Sequence, residues 1–424
     1  MTPEIKQQIE QIRRGEVPEG FKHNSASVMP CDWNTCDFHE VATIQSGLVS
    51  PKEEPYCFMF HIGPDNIERD TGRIGNLKTA CELGLVSGKF YFDAGSIVYS
   101  KIRPNLNKVC IPNFEGICSA DCYSIKARAG IDRDYLFNLM LSFPFYRRAV
   151  ACSMRTGMPK INQDDLNAIP VVMPSQLEEQ QKIAAILTTQ DKVIELKEKL
   201  LAEKQRQKKY LMQVLLTGKK RLPRFSGEWK VNRLRNIATR HTKRNTIGNT
   251  NALTISAQYG LINQAEFFNK AVASDDKSNY FLLEKGDFAY NKSYSNGYPF
   301  GAIKRLTRYE VGIVSPLYIC FRIKEGSVSG EYLEQYFEAG LMNHEIQAFA
   351  QEGARNHGLL NIAVDDFFNS KILLPSPEEQ TAIAEIFSTA DREIDLLRQD
   401  IEQEKQKKKA LMQLLLTGIM RVCG

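Results

Sequence analysis

The chain has 424 residues, 43% of them apolar and 25% charged, with a net charge of +5. That length exceeds one ordinary hydrophobic core, so two or three domains are expected, and the composition is that of a soluble globular protein. No stretch of about eighteen apolar residues is present, which argues against a transmembrane helix, and the charged start MTPEIKQQIEQIRRGE lacks the apolar centre of a secretory signal, so a cytoplasmic location and no membrane association are expected.

In chain order, residues 1–29 read as an N-terminal helical segment. Residues 30–175 read as a first globular domain. It opens on a Trp-containing stretch, CDWNTCDFHEVATI (Cys31–Ile44), and continues with a strand–turn–strand pattern in FYFDAGSIVYSKIR (Phe90–Arg103). A polar tip, YSKIRPNLNK (Tyr99–Lys108), follows. Next come a strand-like run at Ile117–Arg128, an amphipathic helix over Asp134–Val150, and a glycine-containing basic loop, MRTGMPKIN (Met154–Asn162).

Residues 176–223 form a long helix, and residues 224–375 then repeat the globular plan. FSGEWKVNRLRNIATR (Phe225–Arg240) supplies the Trp, and YFLLEKGDFAYNKS (Tyr280–Ser293) the strand–turn–strand. NKSYSNGYPF (Asn291–Phe300) is the tip, Val311–Lys324 the strand-like run, Glu331–Ala350 the helix, and EGARNHGLLN (Glu352–Asn361) the last loop. Residues 376–424 form a second long helix.

The two long helices are copies. At a constant offset of 200, Glu178–Gly218 and Glu378–Gly418 are identical at 19 of 41 positions without a gap. Ser175 and Ser376 are the expected N-caps, glutamates sit in the first turn, and Gly218 and Gly418 are the expected stops. Steps of four and three residues trace an apolar seam through Ile183, Leu187, Ile194, Leu201, Leu211 and Leu215. The second copy gives Ile383, Phe387, Ile394, Ile401, Leu411 and Leu415. Gln190, Lys197, Lys204 and Lys208 interrupt the first seam, and Glu404 and Lys408 the second. This is an interrupted coiled-coil pattern, and the economical arrangement packs the two helices on each other. Charge agrees: 176–225 carries 12 Lys/Arg against 6 Asp/Glu, and 375–424 carries 7 against 9. Periodicity leaves the relative direction of the helices open.

Catalytic motifs are missing. There is no GxxxxGK[ST] phosphate loop, no HExxH, no glycine-rich cofactor loop and no NPP or DPP motif. Asp275-Asp276-Lys277 has half the look of a nuclease site but no partner acid, and the six histidines show no paired helical spacing. Eight of the ten cysteines lie between Cys31 and Cys152 without a CxxC, which suits reduced, mostly buried thiols better than zinc. The tips and loops are richer in binding chemistry. Lys101, Arg103, Asn105 and Asn107, with Arg155, Thr156 and Lys160, are candidates in the first domain; Asn291, Lys292, Tyr294, Arg355, Asn356 and His357 are candidates in the second. Arg, Lys and Asn bond base edges, cations neutralise phosphates, and glycine lets backbone approach them. Four such loops at parallel positions of two domains point to DNA binding.

The alternation of two diverged globular domains with two near-identical helices beginning PxxEEQ-IA-I and ending LMQ-LLTG resembles the specificity subunit of type I restriction-modification enzymes. VYSKIRPN and the Gly157–Ser175 segment resemble that family's recognition elements, although the second domain carries NKSYSNGYPF and GARNHGLLNI where the first has KIRPN and TGMPKINQ. The resemblance implies an α+β chain of two target-recognition domains separated by an antiparallel coiled coil. It also implies a chain without a catalytic site or cofactor of its own. Each domain would read half of a bipartite double-stranded DNA target, while the coil sets the spacing and docks two adenine methyltransferase subunits. S-adenosylmethionine, ATP and Mg would belong to those modification subunits and to restriction/translocase subunits. A stand-alone DNA-binding regulator and a coiled-coil scaffold are the alternatives.

Overall fold

The computed structural model describes all residues except 1–2, 25–26, 154–157, 257–258, 269–276, 296, 353–359 and 423–424. The chain forms two compact units, one of residues 1–198 with 400–424 and the other of residues 199–399. The sequence division gives each long helix its own segment. The structure instead divides each helix between the units, because the start of one and the end of the other are built into the same core.

In the first unit, Trp33–Asp37 pairs antiparallel with Pro170–Pro174. A four-stranded antiparallel sheet runs in the order Val109–Cys110, Ile97–Ser100, Cys122–Ala127, Ala42–Ile44. A five-stranded sheet runs Leu48–Val49, Lys89–Phe92, Gly116–Cys118, Phe60–Ile62, Lys78–Thr79, with one parallel pair between Gly116–Cys118 and Phe60–Ile62. The strand-like run from Ile117 is therefore two strands in two sheets, turned by residues 119–121. The main core gathers Trp33, Phe38, Tyr135, Phe145 and Ile161 with Ile183, Ala184 and Leu187 from the start of the central long helix, and with Leu415 and Leu416 from the end of the C-terminal one.

The second unit repeats the plan. Lys230–Arg233 pairs with Lys371–Leu374, and a four-stranded antiparallel sheet runs Ala238–Arg240, Ile319–Ile323, Phe288–Asn291, Ala302–Arg305. Its core stacks Phe288 on Phe321 at 5.1 Å and Tyr290 on Phe367 at 5.0 Å. Met212, Leu215 and Leu216 from the end of the central helix join it, as do Ile383, Ala384 and Phe387 from the start of the C-terminal helix.

Each long helix has 39 residues, Leu177–Leu215 and Pro377–Leu415, a length of about 60 Å at 1.5 Å per residue. Their seams are the buried rows: Ile183, Leu187, Ile194, Leu215, Ile383, Phe387, Ile394, Ile401 and Leu415 are buried, and Leu201, Leu211 and Leu411 half-buried. The direction that periodicity left open is antiparallel within each unit. In the first, Asp191 meets Lys408 at 2.6 Å, and Lys197 meets Asp400 at 2.8 Å. In the second, Lys208 meets Asp391 at 2.5 Å and Lys204 meets Glu393 at 2.8 Å. The charged interruptions of the seam are thus its ion pairs. Gln190 donates to Glu404 Oε2 at 2.7 Å, and Lys197 adds a second contact to Glu404 at 2.9 Å.

Four local expectations need correction. Ser376 caps its helix by accepting from the Glu379 N–H at 3.3 Å, but Ser175 instead donates to the Asp32 carbonyl at 2.5 Å, because the extra Gln176 moves it one residue away from the helix start. The Asp134–Val150 helix is two helices, Arg133–Leu141 and Phe143–Cys152, restarted by Ser142 as N-cap and Pro144 in the first turn. The Glu331–Ala350 helix likewise divides into Gly330–Glu338 and Asn343–Phe349, with Gly340 at φ +70 in the break. Among the described cysteines Cys110, Cys118, Cys122 and Cys320 are buried, but Cys31, Cys81 and Cys152 are exposed, so the thiols are not mostly buried.

Candidate nucleic-acid interface

The first unit's tip is the turn between Ile97–Ser100 and Val109–Cys110. Arg103 and Asn107 both adopt the left-handed conformation, at φ +48 and +45, around the short helix Pro104–Leu106. Non-glycine residues hold that conformation only where their surroundings enforce it. Two features do so. The Arg103 N–H donates to the Pro159 carbonyl at 2.8 Å and the Ile161 N–H to the Lys101 carbonyl at 2.9 Å, with Ile102 bridged to Lys160. Two segments singled out separately in the sequence therefore form one surface.

On that surface Arg103, Asn105 and Lys160 are exposed. Lys101 is half-buried, its ammonium 5.1 Å from the Tyr123 ring. Burial, and then the Lys160 charge, lower its pKa. Such a cation is incompletely hydrated and has a like charge beside it, which favours an approaching phosphate. Asn107 has another role. It is buried, and its amide donates to Asp70 Oδ1 and to the Leu141 carbonyl, both at 3.1 Å. With its donors committed inside the fold, it supports the tip and does not read a base. Lys108 is likewise committed to the Pro64 carbonyl at 2.6 Å. Arg155 and Thr156 lie outside the described residues.

The second unit's tip follows Phe288–Asn291. The Leu360 N–H donates to the Lys292 carbonyl at 3.1 Å, the counterpart of the Ile161–Lys101 bond, so tip and last loop again meet. Lys292 is half-buried and Tyr294 is 63% exposed. Asn291 Oδ1 accepts from the Ser293 N–H at 3.1 Å and so shapes the turn. Arg355, Asn356 and His357 lie outside the described residues, as do Asp275 and Asp276. A cluster beside this tip went unread in the sequence. Tyr298 donates to Glu338 at 2.6 Å, and Lys304 bonds both Tyr298, at 3.0 Å, and Glu338. Burial, then the Glu338 charge, push the Tyr298 phenol above its ordinary pKa.

Sequence reading also missed what the repeated EEQ does. Glu179 accepts from the Trp33 indole at 3.3 Å and from Arg421 at 2.7 and 3.0 Å, and Arg421 also forks onto Asp32. Glu379 accepts from Trp229 at 3.1 Å and from Arg221 twice at 2.7 Å. Gln180 and Gln380 accept from the N–H of the helix-capping Asp132 and Ser329, each at 2.9 Å. The repeat thus fastens each helix start to its own globular domain. The available signal was that Arg221 and Arg421 continue the offset of 200 past the LTG ending. Among the described residues, no cluster of three or more His, Cys, Asp or Glu could hold a metal, and no helix is long and apolar enough to cross a membrane.

The family model described as the type I restriction modification DNA specificity domain matches the chain twice, over residues 30–205 and 226–406. The type I restriction enzyme EcoDI specificity subunit of Escherichia coli is 41% identical over 181 residues, a match covering 43% of this chain and 38% of that relative. The MjaVIII specificity subunit of Methanocaldococcus jannaschii is 26% identical over 334 residues, covering 73% of this chain and 75% of the relative. Among solved structures, a chain described in terms of complex assembly and conformational transition of the type I R-M system superposes with a TM-score of 0.59 at 16% identity, covering 92% of this chain and 99% of the other. That likeness is one of fold.

Proposed function

The chain belongs to the type I restriction modification DNA specificity family, carrying that family's domain twice, and from this premise we propose that each domain reads one half of a bipartite double-stranded DNA target. The observation that carries the reading is the repeated junction of tip and last loop, Lys101 with Ile161 and Lys292 with Leu360. A surface built from two joined segments holds its cations in a fixed pattern, which base and phosphate contacts require. The globular sequences have diverged while the junction recurs, as suits two readers of different half-sites.

The antiparallel helices supply the spacing in this reading. In this reading helix length sets the gap between half-sites, and one inserted helical turn would add about 5.4 Å. The chain supplies recognition, and the chemistry belongs to other subunits. Two adenine methyltransferase subunits using S-adenosylmethionine dock on the coil, and restriction subunits use ATP and Mg. The relatives' descriptions as specificity subunits support this division of labour.

The test is a methylome. The chain is expressed with a candidate type I modification subunit from the same genome, and host DNA is sequenced by a method that detects methyladenine. A split motif with a fixed gap, lost when this chain is omitted, is the expected result. Methylation at a continuous motif, or methylation independent of this chain, overturns the reading.

A further inference from the structure

We propose that the hairpin of residues 64–76 is a strut fixing the first unit's recognition tip against the coil, with Asp70 and Arg73 as its positioning residues; the inference rests on the reading of that tip as a DNA contact.

The hairpin is stiff. Ile67 bridges Ile74, and the Glu68 N–H donates to the Arg73 carbonyl at 2.9 Å. At its base the Asn66 side chain accepts from the Gly63 N–H at 2.8 Å and donates to the carbonyls of Gly75 and Asn76 at 3.1 and 3.0 Å. Its turn is pinned from behind. Gly72 has φ +76, and a Cβ there would lie 2.3 Å from the Phe137 ring of helix Arg133–Leu141. Little of this segment can move without breaking several contacts at once.

One side of the hairpin holds the tip. Asn107 donates its amide to Asp70 Oδ1 at 3.1 Å, and the Asp70 N–H returns a bond to the Asn107 carbonyl at 3.3 Å. Lys108 adds its bond to the Pro64 carbonyl at 2.6 Å. These are the contacts that hold Asn107 in its left-handed conformation, at the far end of the turn that exposes Arg103 and Asn105. The other side of the hairpin meets the coil. Arg73 Nη1 lies 2.5 Å from Glu198 Oε2 on the central helix, and Glu198 Oε1 lies 2.7 Å from Lys405 on the C-terminal helix. Burial pulls the Glu198 carboxyl upward, but Lys405 and Arg73 together hold it below its ordinary pKa. One carboxylate therefore ties the hairpin to both helices.

The path runs Arg103, Asn107, Asp70, Arg73, Glu198, Lys405: along the chain through two turns, 103–107 and 70–73, and between elements through the Asn107–Asp70 hydrogen bonds and the Arg73–Glu198–Lys405 ion pairs. Position 398, the counterpart of Glu198 at the offset of 200, is Arg398, which pairs with Asp395. The second unit meets its helix differently, through Gln335 donating to Asp391 at 3.0 Å. The strut's contacts all lie within the first unit, so disturbing it should affect one half-site only, which supplies the control.

The experiment uses the full chain and a duplex carrying the methylated target, alongside duplexes with either half-site scrambled. Arg103→Ala first identifies the half-site read by this tip. Asp70→Ala and Arg73→Ala are expected to lower discrimination at that half-site about two- to fivefold and to leave the other unchanged. Arg73→Lys should restore most of the loss, and Arg73→Ala combined with Glu198→Gln should lose no more than either alone. Equal losses at both half-sites, no loss, or additive losses would overturn the strut. If Arg103→Ala weakens one half-site while Asp70→Ala and Arg73→Ala weaken neither, the strut alone fails. If Arg103→Ala changes neither, the tip is not a reader and the strut falls with it. Should Asp70→Ala impair folding, Arg73→Ala decides, because that side chain is 41% exposed.

Discussion

Arg421 Nε lies 2.7 Å from Glu179 Oε1, joining residues 242 positions apart in the chain. The bond fastens the segment after the C-terminal helix to the first turn of the central helix, and the guanidinium stands 5.9 Å from the Trp33 ring. Arg221, Glu379 and Trp229 make the same arrangement in the second unit.

Arg421→Ala should therefore destabilise the first unit, since the Glu179 side chain is only 9% exposed and would lose both of its Arg421 bonds, keeping the Trp33 indole as donor. A cost of about 1–3 kcal/mol is expected. The chain has two tryptophans, so in a Trp229→Phe background Trp33 fluorescence reports on this site alone. Unchanged emission and an unchanged unfolding midpoint would remove the clasp from the account.

Phe387→Ala tests whether the coil and the second core are one structure. The ring is fully buried among residues of that core, so its truncation should cost about 3–5 kcal/mol. Leu396→Ala on the same helix removes a side chain that is 60% exposed and should cost less than about 0.5 kcal/mol. Similar losses from the two in chemical denaturation would contradict the seam.

Acid should weaken the coil through Glu404. Bonds from Lys197, then Gln190, hold its carboxyl at a pKa of about 2, below the ordinary 4.5. A depressed folded-state value gives stability that is complete above the unfolded pKa and is lost as pH falls through the folded one. The stability difference between the wild type and Glu404→Gln should hold above pH 4.5 and shrink from there towards pH 2. Melting curves across that range decide; a difference that grows with acid reverses the assignment.

Arg103→Ala and Asn107→Ala should behave differently although both lie in one turn. In the proposed reading Arg103 neutralises a phosphate, so its loss should reduce the slope of log K against log salt by about 1. Loss of the buried Asn107 amide removes its bonds to Asp70 Oδ1 and to the Leu141 carbonyl, and should lower the melting temperature. Salt titrations and thermal melts of both variants separate the roles, and an Asn107 variant that loses affinity for the target with an unchanged melting temperature would restore it as a contact residue.

The long helices were the legible part, because steps of three and four residues from Ile183 and Ile383 reflect helix geometry directly. The strand–turn–strand before each tip was legible for the same reason: its pattern is local. Asn107 was misread because its role depends on Asp70, which is 37 positions away, and Asn beside Lys and Arg has the composition of a base-reading loop. Trp33 and Glu179 are 146 positions apart, beyond any periodicity. The restart at Ser142-Phe143-Pro144 is a local signal, but the apolar pattern runs across it on both sides and resembles one continuous helix.

The division of the long helices also sets an order of events during synthesis. Residues 199–399 form an uninterrupted stretch and contain every part of the second core. The first core lacks Leu415, Leu416 and the Arg421 bond until the ribosome has passed them. At about 5–20 residues per second, the 200 or so residues that intervene after position 198 take about 10–40 s. The unit made first is thus the unit finished last, and until then the core that Ile183, Ala184 and Leu187 share with Trp33 and Tyr135 lacks Leu415 and Leu416 and stays open on that side to whatever chaperone attends the nascent chain.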